Sequence, residues 1–211
     1  MNTQTHPIAI TAMSQSTAKR FPLLLTLLLA AASALLTGCN EPVDPQAGRL
    51  QLLEVAERGD VSALDALLRR SADANVRDSC DWTALMMAAN NGHLAAAQRL
   101  LDAGAGVEAA DKGGDTALLL AASNNHVDVV RLLLDHGAMI DAQERTQGYT
   151  PLIWAAHRGH VATVKELLAR GADSTLPDLQ GHDAAWHAAE QGRPEVATLL
   201  APTAAPPLAG G

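Results

Sequence analysis

The chain has 211 residues, 48% of them apolar, yet only 2% are aromatic: one Phe, one Tyr and three Trp. Alanine and leucine carry the apolar content, which suits thin, closely packed helical layers and predicts an all-helical architecture rather than a globule built around large aromatics. A formal net charge of −8 argues against nucleic acid, whose binding rests on neutralising phosphates, and disfavours a broad electrostatic contact with anionic lipid.

At the N-terminus, Lys19-Arg20 is followed by the apolar run Phe21 to Leu36 and then by Thr37-Gly38-Cys39. Basic, apolar and small residues in that order have the layout of a secretory signal. Leu36-Thr37-Gly38-Cys39 also resembles the lipobox of bacterial lipoproteins, which implies that Cys39 is acylated and becomes the mature N-terminus. Residues 1–38 are therefore set apart as a signal peptide, with Met13 as an alternative start to Met1. A signal-anchor helix retained in the membrane is the competing reading, but the run is short of the roughly 20 residues of a full span. Asn40 is not the aspartate that resembles an inner-membrane retention signal, so the resemblance implies an outer-membrane anchor facing the periplasm.

Removing Lys19 and Arg20 with the signal takes the 15 basic residues to 13 against 23 acidic ones, a net −10. An acidic surface of this kind favours a basic or neutral partner. With Cys39 taken by lipid, Cys80 is the one thiol left, so export brings no disulfide. Cys80 falls between Asp78 and Asp81 in an expected hairpin tip and is read as a small loop residue rather than a redox centre.

Residues 39–48, polar and bearing Pro42 and Pro45, have the composition of a lipidated tether. Two short amphipathic helices follow, Leu50 to Arg58 and Val61 to Arg70. Leu52, Leu53, Val55 and Ala56 are expected inward on the first, and Leu64, Leu67 and Leu68 on the second. Their charged outer face suits the N-terminal cap of an array.

Four further copies are headed by Thr83, Thr116, Thr150 and Asp183, at steps of 33, 34 and 33 residues, and each carries an alanine pair. A period in this range marks a solenoid of stacked helix pairs. The head residues can cap a first helix through a side-chain oxygen. Pro151 fits a first helical turn, and Gly92, Asn125, Gly159 and Gly192 fit the left-handed turn that ends one. The run Asp81-Trp82-Thr83-Ala84-Leu85-Met86-Met87-Ala88-Ala89, with Gly92-His93 and Leu100-Leu101-Asp102-Ala103-Gly104-Ala105, resembles the ankyrin repeat. So do the endings Leu133 to Ala138 and Leu167 to Ala172.

The resemblance covers about Arg49 to Leu200. It implies an ankyrin-repeat solenoid of about five helix-turn-helix repeats joined by β-hairpin-like loops, at approximately 49–80, 81–113, 114–147, 148–180 and 181–201. A disordered tail is expected at 202–211. Three departures stand out. Met86, Leu119, Ile153 and Trp186 replace the family's histidine, Asp81 replaces a hairpin glycine, and Gln143 to Gln147 carries one extra residue.

Eight histidines raise a haem or metal carrier as an alternative, with His157, His182 and His187 as candidate ligands. His93, His126 and His160 recur one per repeat, which suits a structural role, and no cofactor or metal is expected beyond the lipid on Cys39. No nucleophile, acid-base pair or phosphate loop is recognisable, so an enzyme is not expected. Ankyrin resemblance points instead to another protein bound in a concave groove, by a monomer. The residue before each cap is expected to face that groove: Trp82, Asp115, Tyr149 and His182. Beside them lie the exits of the first helices, Asn90, Asn91, Ser123, Asn124, His157, Arg158, Glu190 and Gln191. Tyr149 and Trp82 are expected as exposed anchors, since aromatics beside an arginine often dominate interfaces, and Trp154 and Trp186 as core between repeats. Exported ankyrin proteins of bacteria further imply two narrower roles: support of catalase and peroxide resistance, or immunity against a toxic effector delivered to the periplasm.

Overall fold

The computed structural model describes residues 45–70 and 72–201. The signal peptide, Cys39, the start of the tether and the tail at 202–211 lie outside the described residues. Among the described residues ten helices form five pairs: α1 (Pro45–Arg58) with α2 (Val61–Arg69), α3 (Ala84–Asn90) with α4 (Leu94–Asp102), and α5 (Ala117–Ser123) with α6 (Val127–Asp135). The last pairs are α7 (Pro151–Arg158) with α8 (Val161–Ala169), and α9 (Ala184–Glu190) with α10 (Pro194–Leu200). Odd-numbered helices pack on one another along the array and even-numbered helices form a second layer behind them, giving the all-helical solenoid that composition and period predicted. Helix α1 begins at Pro45, inside the stretch read as tether. Proline costs nothing in a first turn, so composition alone does not mark that boundary.

Each odd helix from α3 onward starts on the expected cap. The side-chain oxygens of Thr83, Thr116, Thr150 and Asp183 accept the N–H groups of Met86, Leu119, Ile153 and Trp186 at 3.2, 3.4, 3.1 and 2.8 Å. The alanine pairs are buried and let the layer close up, with Leu85, Leu118 and Leu152 filling the seam behind them. Ala189 alone of the pairs is exposed, and among the described residues no further copy packs over it.

The recurring glycine-histidine pair is an inter-repeat lock. His93 lies so close over Gly59, and His126 over Gly92, that a Cβ on either glycine would stand 2.6 and 2.4 Å from the ring. Imidazole Nε2 atoms of His93, His126 and His160 then lie 2.9, 3.0 and 2.9 Å from the carbonyls of Glu57, Asn90 and Ser123 in the preceding copy. Three histidines are thereby accounted for without an ion.

The tips between copies are built on one carboxylate each. Asp78 accepts the N–H groups of Cys80 and Trp82, Asp111 that of Asp115, and Asp178 those of Gln180 and His182. In the tip with the extra residue a glutamate takes over: Glu144, buried, accepts from Thr146, Gln147 and Tyr149. The longer side chain spans the longer loop. Backbone bonds then join tip to tip, from Arg145 N–H to Gly113 O at 2.8 Å and from Leu179 N–H to Gln147 O at 2.9 Å.

Candidate functional site

The predicted hairpin column is not uniformly exposed. Trp82, Asp115 and His182 are half-buried, but Tyr149 retains only 8% of its surface, which corrects its reading as an exposed anchor. Its ring packs edge-on against Trp154 at 5.0 Å and His187 at 4.7 Å, and its N–H is held by Glu144. Burial, with Asp178 and Glu144 nearby, pushes its phenol pKa up. Tyr149 is thus packed into the array beside Trp154 and His187 rather than standing out from it.

Most exits of the early copies are engaged in holding the array together. Asn91 Nδ2 donates to Glu57 O and Met87 O, and Asn124 Nδ2 to Asn90 Oδ1 and Leu120 O. Ser123 is buried, its hydroxyl on Leu120 O. Glu190 and Gln191 are exposed at the end of the stack. His157 and Arg158 break the asparagine pattern. The Arg158 guanidinium lies 5.4 Å from the Trp154 ring centroid, a cation-π contact.

Trp186 corrects the expectation of a core residue. Met86, Leu119 and Ile153 occupy its position in earlier copies and are at most 1% exposed because the next copy covers them, whereas Trp186 is 42% exposed at the end of the array. Its indole stacks on the His182 imidazole at 3.6 Å with 6° between planes. Trp154 is half-buried. Ring contacts run from Trp186 to His187 at 5.0 Å, on to His157 at 5.6 Å and to Trp154 at 6.2 Å. A continuous aromatic and histidine face therefore spans the last two copies. Sequence reasoning placed Trp186 in the core and His187 only among the candidate ligands of the haem or metal alternative, although a tryptophan in the last copy at a position others bury was the available signal.

Beneath this face His187 Nε2 lies 2.8 Å from Asp178 Oδ2, both side chains buried. Burial alone would raise the Asp178 pKa, but the His182 N–H, the His187 imidazole and the Gln180 N–H outweigh it and hold the carboxyl below its ordinary value. Asp178, His182 and His187 bring one potential ligand atom each to within 4.8 Å of one another. His157, the third histidine of the haem or metal alternative, is not in that trio. Two tips earlier in the array, burial with the charges of Asp111 and Glu144 pushes the Asp115 pKa up to about 6.

A family model described as ankyrin repeats (3 copies) matches residues 52–144 and 139–207. The chain belongs to the ankyrin-repeat family. A comparison with curated proteins returns no match. Ankyrin arrays are typically interaction scaffolds, and function on a shared fold is argued from the side chains a site carries beyond those the fold requires.

Proposed function

We propose that this ankyrin protein is a protein-interaction module, carried on a lipid anchor at Cys39 and facing the periplasm, that holds a partner against the groove side of its last two copies. One observation carries the reading: two of the three tryptophans, with His157, His182 and Arg158, form one face over the buried His187, and Trp186 is open on it. Amphipathic rings held rigidly beside an arginine supply contact area at little entropic cost. The test is capture of envelope proteins by the full-length chain, wild type against Trp186→Ala and His182→Ala. Loss of the same prominent partner from both variants is expected, and equal recovery would overturn the reading.

Resemblance to exported ankyrin lipoproteins supports two partner classes. In catalase support, deletion of the gene lowers survival in peroxide. In immunity, deletion sensitises the cell to a periplasm-directed effector while peroxide survival is unchanged. For the anchor, Cys39→Ser is expected to abolish lipid labelling and release the protein from membranes, and undiminished labelling would remove Cys39 from that role.

A second reading, a bound transition-metal ion, has the Asp178, His182 and His187 trio behind it. Zinc binding to the purified chain that is lost in His182→Ala would support it. Zinc titration without any change in Tyr or Trp fluorescence would dismiss it.

A further inference from the structure

The last copy departs from the others at a residue the fold does not require. After the helix-ending turn stand His93, His126 and His160, each bonded to a carbonyl of the copy before. Arg193 holds that place in the last copy. Its stem lies over Gly159, where a Cβ would stand 2.7 Å from Arg193 Cδ, and it makes no corresponding bond among the described residues. Arg158 departs in the same way from Asn91 and Asn124, leaving the ladder to lie over Trp154.

The two departures meet. Trp154, His157, Arg158, His160, Gln191 and Arg193 line an open pocket of about 420 Å³ with no carboxylate in its wall. Among the described residues neither guanidinium has an acidic partner within 4.0 Å, whereas Arg131 and Arg170 on the even-helix layer are each paired twice. Unpaired adjacent arginines are unexpected in a chain of net charge −8. His157 Nδ1 is buried and has no hydrogen-bond partner among the described residues. Burial, and then the charges of His187, Arg158 and Arg193, hold the His157 pKa below its ordinary value. Burial likewise lowers that of His160, against the opposing bond from Ser123 O and with help from Arg158, Arg193 and His126. Near neutral pH the pocket's positive charge is therefore that of the two guanidiniums.

We propose that this pocket is an oxyanion subsite that receives the carboxylate of an acidic residue on the partner protein, with Trp154 covering the methylene stem. The inference rests on the interaction-module reading and adds the chemistry that is recognised. Two guanidinium forks match a carboxylate in geometry as well as charge. The pocket is at the small end of ligand sites, which run to roughly 300–1,000 Å³, so it has room for one side chain rather than a polymer. Around it the acidic chain repels polyanions, which selects a single carboxylate over a polyphosphate. An acidic protein thus meets its partner here through a local inversion of its own charge.

The test is fluorescence polarisation of the full chain with a labelled peptide, acetyl-Leu-Glu-Leu-Gly, its Glu→Gln counterpart, and inorganic phosphate as competitor. Wild type is expected to prefer the Glu peptide by about tenfold, and Arg158→Gln and Arg193→His are each expected to remove most of that preference. Arg193→His restores the residue of the other copies, so it keeps the fold, which thermal melting checks. Equal binding of the two peptides, no binding of either, or an unchanged preference in both arginine variants would overturn the proposal. Phosphate that binds more tightly than the Glu peptide would assign the pocket to phosphate and overturn it too. Failure here is separable from failure of the module reading. If the peptide shows no preference while Trp186→Ala still loses partner capture, the subsite falls and the module stands. If the preference holds while capture ignores both Trp186→Ala and Arg193→His, the module falls and the subsite stands.

Discussion

Asp115 sits in an environment that does not suit a charged carboxylate. Its carboxyl is half-buried between Asp111 and Glu144, and its pKa is pushed up to about 6 from an ordinary 3.8. Between those two pH values the folded chain holds a proton that the unfolded chain has lost, so stability falls as pH rises through the window. Above about pH 6 the penalty is present in full, and below the ordinary value it vanishes. Because the group is half-exposed, solvent screening limits the cost to about 1 kcal/mol. Asp115→Asn is therefore expected to stabilise by about that amount at pH 7.5 and by almost nothing at pH 3.5. Urea unfolding at the two pH values measures it, and a gain independent of pH would show that charge is not the cause.

The hairpin tips set how closely copies stack. Gly148 and Gly181 share a left-handed backbone, φ 77° and 88°, but differ in their surroundings. A Cβ on Gly148 would lie 2.9 Å from the backbone nitrogen of Leu179, whereas a Cβ on Gly181 meets nothing within 4 Å. Gly181→Ala is expected to cost about 1–2 kcal/mol, the left-handed strain alone. Gly148→Ala adds a collision with backbone and is expected to cost about 1–3 kcal/mol more. Similar losses in chemical denaturation would mean that the tips are not in tight contact. Glu144 tests the same element from within. Glu144→Asp shortens the side chain that gathers Thr146, Gln147 and Tyr149 N–H groups, and the Tyr149 N–H, the buried donor among them, costs about 1–3 kcal/mol if left unpaired. Glu144→Asp should therefore lower the melting temperature measurably, and an unchanged one would refute the loop-spanning role.

At this scale the sequence was most legible. Caps, alanine pairs and left-handed turns each follow from a local rule, so Thr83, Ala88 and Gly92 could be placed from neighbouring residues alone. The groove was less legible. Whether Tyr149 or Trp186 is open depends on whether another copy packs beyond it, a long-range fact that period does not carry. Local pattern likewise marked the extra residue before Tyr149 as a longer tip, but not that a buried glutamate would fill it and bury the tyrosine.

In the whole array each copy is stabilised by its neighbours, so position along the stack decides how far a defect spreads. Leu152, fully buried, has copies on both sides, while Val196 in α10, 1% exposed, belongs to a copy with one neighbour. Leu152→Ala is expected to cost about 2–5 kcal/mol and to weaken coupling across the middle of the stack. Val196→Ala removes less volume and loosens an end, where local opening is already the least costly. The expected signature in hydrogen exchange is faster exchange confined to α9 and α10 for Val196→Ala, and faster exchange from α5 through α10 for Leu152→Ala. The candidate face lies on that same end, with Trp186 in α9 and Arg193 at the start of α10. A partner bound there would couple to the least supported copy and slow exchange in α9 and α10, so Val196→Ala should weaken partner capture although Val196 touches no partner. Undiminished capture by Val196→Ala, with α9 and α10 exchanging faster, would show that binding does not depend on order at the end of the array.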